Sequence, residues 1–211
     1  MSSEHSISSE IAATAARLVV EEGLEYGPAK QRALKQLGLA RNSRAALPSN
    51  DELEDEVRDY LALFCADTQP AELRALRELA ARWMARLAEF RPHLCGAVWR
   101  GTATRLNNIH LQLFCDDSKS TEIALINMNV DYEVGATSGP RGREVDMLSI
   151  AAPCPALQER VTVHLSILDF DDLRGALKLD SRGRSERGDL NALQKLLEDD
   201  GNSPEEQGAK T

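Results

Sequence analysis

Aromatic side chains are scarce, at 4% of 211 residues, which leaves little material for a base-stacking surface. Long apolar runs are missing too. The longest candidates resemble LALFCA at 61–66, far short of the roughly 20 residues that a membrane helix needs. Cys65, Cys95, Cys115 and Cys154 stand far apart with no CxxC, which argues against a zinc site and supplies no disulfide framework. They read as buried thiols. The opening MSSEHSISSE has no basic stretch leading into an apolar core, unlike a secretory signal, so a cytoplasmic location without membrane attachment is expected. What remains is 42% hydrophobic and 28% charged with a net charge of -9, the composition of a folded, soluble chain. Its length suits one domain, or a helical layer on a small α/β core. The acidic excess disfavours a broad nucleic-acid surface and leaves only a local basic patch for that purpose.

The first half reads as helices. Residues 1–7 are polar and expected to fray, with Ser8 or Ser9 capping a helix whose stripe includes Ile11, Ala15, Leu18 and Val19. Gly27-Pro28 punctuates, and a second helix follows up to a stop at Gly38. Residues 40–50 are the best linker. Ser49 or Asn50 then caps a third helix with Leu53, Val57, Tyr60, Leu61 and Phe64 on its apolar face. Its acidic first turn, Asp51, Glu52 and Glu54, reads as a solvated helix start rather than a metal site. After Pro70 a strongly periodic helix carries Leu73, Leu76, Leu79 or Ala80, Trp83, Leu87 and Phe90. Arg74, Arg77, Arg82 and Arg86 lie near its other faces, as a basic ridge or as ordinary surface with Glu72, Glu78 and Glu89 interspersed. Trp83 reads as core.

The pattern changes at Arg91-Pro92. HLCGAVWRG is a short apolar segment ending in Gly101. In NNIHLQLFCDD, Ile109, Leu111 and Leu113 alternate with His110, Gln112 and Phe114, the period of a strand. SKSTEIALINMNV reads as a helix, Asp131–Val134 as the start of a strand, and GATSGPRGR as a flexible turn. EVDMLSIAA and RVTVHLSILDF are further strands, separated by the prolines at 153 and 155. DDLRGAL opens a helix, SRGRSERGD is a mobile link, LNALQKLLEDD is a last helix, and the tail is expected to be disordered. Helices first and four or five strands later predict an α/β (or α+β) core with an amino-terminal helical arm. The expected divisions are 8–68 for the helical region, 71–178 for the core, 179–199 for the link and terminal helix, and 200–211 for the tail.

The stretch from His93 to Val134, containing LCGAVWRGTATRLNNIHLQLFCDD, resembles the nucleotidyltransferase superfamily, over a core from about 71 to 178. In that family a strand ends in a glycine-containing turn that holds nucleotide phosphates. The next strand bears two acidic residues separated by one position, and a later strand gives a third. The resemblance implies a mixed-sheet core with flanking helices. It also implies phosphate contacts from Gly96, Arg100, Gly101, Thr102 and Arg105, with a nucleotide and Mg²⁺ as the ligands. The departure lies at the acidic pair, whose positions hold His110 and Gln112 on one strand face. Mg²⁺ favours carboxylate oxygen over imidazole or a neutral amide, so conventional metal-dependent transfer is not expected from a pair that has lost both charges.

Compensation is sought in Asp116, Asp117 and Glu144, with Asp146 or His164 at the third position. Asp116 and Asp117 read equally as a helix cap. His110, His164 and Asp146 form a transition-metal donor set by type, but their spacing carries no metal signature, and no metal site is assigned. The segment is not a GxxxxGK[ST] loop, and no Ser-His-Asp order with a nucleophile elbow is visible. The expected function is therefore that of a nucleotidyltransferase-like protein with a degenerate active site, acting by ligand or partner binding. One alternative is an atypical transferase or other enzyme in the same cleft, with His110 as acid or base. Another is a regulatory protein that meets a protein partner through its helical arm.

Overall fold

The apolar stripe of the first helix begins earlier than a serine cap at 8 or 9 would allow. In a computed structural model, which describes residues 2–39, 47–115, 117–173, 179–180 and 182–201, α1 runs Ser2–Glu22. Ile7 packs against the cluster of Ile11, Ala15, Leu18 and Val19, so apolar burial carries the helix through Ser8 and Ser9, where a cap was expected, and into the 1–7 stretch expected to fray. The second helix, α2 (Tyr26–Gln36), likewise starts before Pro28, which stands in the first turn where its missing N–H costs nothing. Gly38 ends it with φ +67. Its N–H reaches Lys35 O while that of Leu39 reaches Leu34 O, the paired bonds of a Schellman close.

Helix α3 (Asn50–Phe64) opens with the expected cap as a complete capping box: Glu52 N–H donates to Ser49 Oγ, and Ser49 N–H to the Glu52 carboxylate. Leu53, Val57 and Leu61 are buried with α1 and α2 in one cluster. Phe64, expected on that apolar face, is instead 69% exposed with its ring 4.5 Å from that of Tyr60, while Tyr60 and Cys65 pack against the cluster. Glu54 is buried there and paired with Arg58 at 2.8 Å.

The chain divides into two compact units, Met1–Glu72 with Thr102–Asn107, and Leu73–Gly101 with Asn108–Thr211. In the first, the 102–107 loop is bound to its neighbours: Gln69 Nε2 donates to Ala103 O and Arg105 N–H to the Glu72 carboxylate. A Cβ on Gly23, at φ +67, would stand 2.9 Å from Leu106 O, so glycine is required there twice over.

Helix α4 (Gln69–Arg86) buries Leu73, Leu76, Leu79, Ala80 and Trp83, matching the periodicity and the core reading of Trp83. Of the two readings of its arginines, ordinary surface with interspersed glutamates describes Arg74, Arg82 and Arg86, which are exposed, but not Arg77. Arg77 is only 5% exposed, Arg74 is paired with Glu78, and Arg86 lies over the Trp83 ring. Arg77 is turned inward by two carbonyls and a carboxylate, which together offset the burial of its charge.

Among the described residues the sheet has six strands, β1 (His93–Cys95), β2 (Ile109–Phe114), β3 (Glu133–Ser138), β4 (Glu144–Cys154), β5 (Glu159–Leu168) and β6 (Arg187–Gly188), in the order β3-β4-β5-β2-β1-β6. Strands β2 and β5 pair in parallel, and β1–β2, β1–β6, β3–β4 and β4–β5 pair antiparallel. This is a mixed sheet in an α/β architecture with a helical amino-terminal region. Ile109, Leu111 and Leu113 alternate with half-buried His110 and Gln112, as the two-residue period requires. Helix α6 (Ser118–Asn127) follows β2, and α7 (Leu190–Gly201) closes the described chain. Among the described residues no helix is long and apolar enough to cross a membrane.

Three local expectations give way to strand pairing. Residues 135–138, read as part of a flexible turn, complete β3 against Met147, Asp146, Val145 and Glu144. Pro153, read as a break, lies within β4 opposite Arg160. Pairing with β3 stops at Ser149, so beyond it β4 has a free edge where a residue without N–H is tolerated. The 181–189 link contains β6, which pairs with β1. The expected linker at 40–46, most of the DDLRGAL helix (174–178) and the tail from 202 lie outside the described residues.

Candidate functional site

Strand alternation and register decide which chemical groups meet. His110 is opposite His164 across the parallel β2–β5 pair, and His164 is opposite Ser149 across β5–β4. Cys95 of β1 is opposite His110 on the other side. Arg187 of β6 is in turn opposite Cys95, and directly opposed residues share a sheet face, so these five side chains form one transverse row. The imidazoles of His110 and His164 stand 5.0 Å apart between ring centroids, tilted by 31°. His164 is held at both nitrogens, by Ser149 Oγ at 2.9 Å from Nδ1 and by the Asn108 amide at 3.2 Å from Nε2. With the amide nitrogen towards Nε2, a ring proton on Nδ1 satisfies both contacts by donating to Ser149 Oγ. The Cys95 thiol donates to His110 O at 3.5 Å.

Gln112 lies one row further along this face, opposite Ser166. Its Oε1 accepts a hydrogen bond from Arg187 Nη1 of β6, so a fixed guanidinium already occupies the oxygen that a cation would seek. The row ends at a cavity of about 260 Å³ lined by Asp131, Tyr132, Glu133, Ser149, Arg160 and Thr162. Tyr132 donates to Glu122 at 2.9 Å, and that carboxylate holds the phenol above its ordinary value of 10.0.

Asp146 does not join this group. Met147 is opposite Ser166 and Ser149 opposite His164, so Asp146, one residue before Met147, projects to the other face with Leu148 and Ile150. The donor set His110, His164 and Asp146 is therefore divided by the sheet itself. Asp146 instead lines a second cavity, of about 320 Å³, with Asp117, Glu144 and Asp169. Arg143 meets that acidic wall, pairing with Asp169 at 2.7 Å and with Asp172 at 2.9 Å. Asp117 also caps α6 through Lys119 N–H, the plainer of its two readings. Asp116 lies outside the described residues.

The glycine segment expected to cradle phosphate is a short helix, α5 (Gly96–Arg100), rather than an open turn. Gly96 and Gly101 have φ of +73 and +83, so both need glycine for backbone reasons alone. Gly96, Arg100 and Gly101 belong to the sheet unit, and Thr102 and Arg105 to the helical unit. Thr102 is 2% exposed, and its Oγ1 is buried without a hydrogen bond. Arg105 is exposed.

Three members of the polar face were not singled out from sequence. Asn108 carried a usable signal, because a residue two before His110 projects to the same side of an extended chain. Ser149 and Arg187 carried none, since only pairing across the sheet brings them near. Among the described residues no three His, Cys, Asp or Glu side chains are placed to hold one metal ion. The donors on the His110 face do not fit Mg²⁺, which takes hard oxygen ligands at short distances. Compared with known proteins, the chain matches no family model, no curated protein and no solved structure.

Proposed function

We propose that this is a nucleotidyltransferase-like protein that acts by binding a ligand or partner and does not carry out conventional Mg²⁺-dependent nucleotidyl transfer. The observation that carries this reading is the engagement of the two positions where the resemblance places an acidic pair. His110 is packed against His164, and Gln112 accepts from Arg187, while Asp146 faces the other side of the sheet. Orienting a triphosphate needs negative ligands that hold metal ions against it, and this face offers neutral side chains beside a cation. Its polar groups, and the cavity beside Ser149, suit recognition of a small polar ligand through hydrogen bonds.

Calorimetric titration with ATP, GTP, CTP and UTP, with and without Mg²⁺, paired with a pyrophosphate-release assay, tests the proposal. The expected result is no pyrophosphate release under any of these conditions. Mg²⁺-dependent release that is lost in His110→Ala would overturn it.

A second reading, an enzyme with altered chemistry, is favoured by the hydrogen-bonded chain Ser149–His164–Asn108. It moves the acid–base assignment from His110 with Asp146 to His164 with Ser149. Turnover of any substrate should then fail in His164→Ala and persist in Asp146→Ala.

A further inference from the structure

The polar face presents an arrangement that Mg²⁺ would not select and that another class of ion would. Two imidazoles stand directly opposite each other on adjacent parallel strands, and Asn108 brings an amide against the Nε2 side of one of them. The other nitrogen of that ring is anchored by Ser149 Oγ, as a metal-ligating histidine is usually anchored by a neighbour that fixes its tautomer and orientation. With Nδ1 protonated towards Ser149, the Nε2 lone pair points to Asn108, and a half-turn of the Asn108 amide replaces its nitrogen with a donor oxygen. Asn108 is exposed and both histidines are half-buried, so an ion reaches this corner from solvent.

We propose that Asn108, His110 and His164 form a binding site for a single nitrogen-preferring divalent transition ion, such as Zn²⁺ or Ni²⁺, with water completing its coordination. Imidazole suits these ions, whereas Mg²⁺ demands several hard oxygens and gives up water reluctantly. Cys95 stands in the same row, but among the described residues no three His, Cys, Asp or Glu side chains are placed to hold one ion, so sulfur is left out of the set. Arg187 stands in that row opposite Cys95, and its guanidinium is directed to Gln112 and Glu186. The site stands on donor geometry and does not rest on the transferase-like reading. Pyrophosphate release would remove that reading and leave the metal result in place.

Full-length protein is titrated calorimetrically with Ni²⁺ and separately with Mg²⁺, and its imidazole nitrogens are followed by two-dimensional NMR. One Ni²⁺ per chain and no Mg²⁺ binding are expected. The signals of His110 and His164 should broaden ahead of those of His5 and His93. Each of His110→Ala and His164→Ala should weaken binding by about 10-fold or more. His164→Gln keeps a polar side chain for Ser149 and Asn108, and circular dichroism verifies its fold; it should lose Ni²⁺ equally. Absence of Ni²⁺ binding to the wild type would overturn the site, as would broadening centred on His5 or His93. So would Mg²⁺ binding at these residues, unchanged affinity in folded His164→Gln, or a thiolate-to-metal band on loading with Co²⁺.

Discussion

Arg77 gives the sharpest stability test, because a cation only 5% exposed holds three acceptors at once. Its Nε and Nη2 donate to Val98 O and Trp99 O, each at 3.2 Å, and its Nη1 to the Asp200 carboxylate at 2.7 Å. The two carbonyls belong to the last turn of α5, which has no following turn to satisfy them. Arg77→Met keeps most of the buried stem and removes only the guanidinium. Leaving a buried acceptor unmet costs about 1–3 kcal/mol, and a bond to a charged partner is worth about 1.5–3 kcal/mol. Asp200 is 38% exposed and regains water, so its share is discounted. The expected loss is about 3–5 kcal/mol, the range for breaking a buried pair.

Asp200→Asn keeps an acceptor oxygen and leaves the carbonyl clamp intact, so it should cost only about 1 kcal/mol. Urea unfolding followed by intrinsic fluorescence reads both variants, since Trp83 and Trp99 lie in the same unit as Arg77. A loss under about 1 kcal/mol for Arg77→Met would refute the reasoning, since the buried cation would then be holding nothing of value. Equal losses for the two variants would also refute it, by assigning the whole effect to the ion pair.

Gly188→Ala tests packing rather than charge. The new Cβ would stand 2.0 Å from Trp99 Cη2, and the indole is tethered by its Nε1 hydrogen bond to Ser185 O at 2.8 Å. A loss of about 1–3 kcal/mol is expected by urea unfolding, and an unchanged midpoint would show that the ring moves freely. Asp180 supplies a pH-dependent test. The N–H of Arg184, then that of Arg182, hold its carboxyl below the ordinary value of 3.8. A depressed carboxyl stabilises the turn above the unfolded value, and that contribution is lost as pH falls through the folded one. The NMR shifts of the Arg182 and Arg184 amides should therefore move with a midpoint below 3.8, and a midpoint at or above it would remove the assigned cause.

The sequence by itself determined what depends on near neighbours. The Ser49–Glu52 box, the Gly38 close, the buried stripe of α4 and the alternation of β2 all rest on groups within a few residues of one another. Such bonds cost little chain entropy to form, so residue type and spacing are enough to announce them. That His110 and Gln112 share a face also followed from period alone, as did the helix-cap reading of Asp117.

The tertiary structure decided what those groups meet. Asn108 and His164 are 56 residues apart, Gln112 and Arg187 are 75, and Arg77 and Asp200 are 123. Helical spacing puts Arg77 within the stripe of Leu73 and Ala80 and Arg74 beside Glu78 outside it, but the carbonyls and carboxylate that let the Arg77 charge be buried come from far along the chain. The two-residue period of a strand fixes which residues alternate, but which face Asp146 shares depends on register with another strand. One residue of register separates Asp146 from Ser149's face, and that displacement put a serine beside His164 where a carboxylate had been sought.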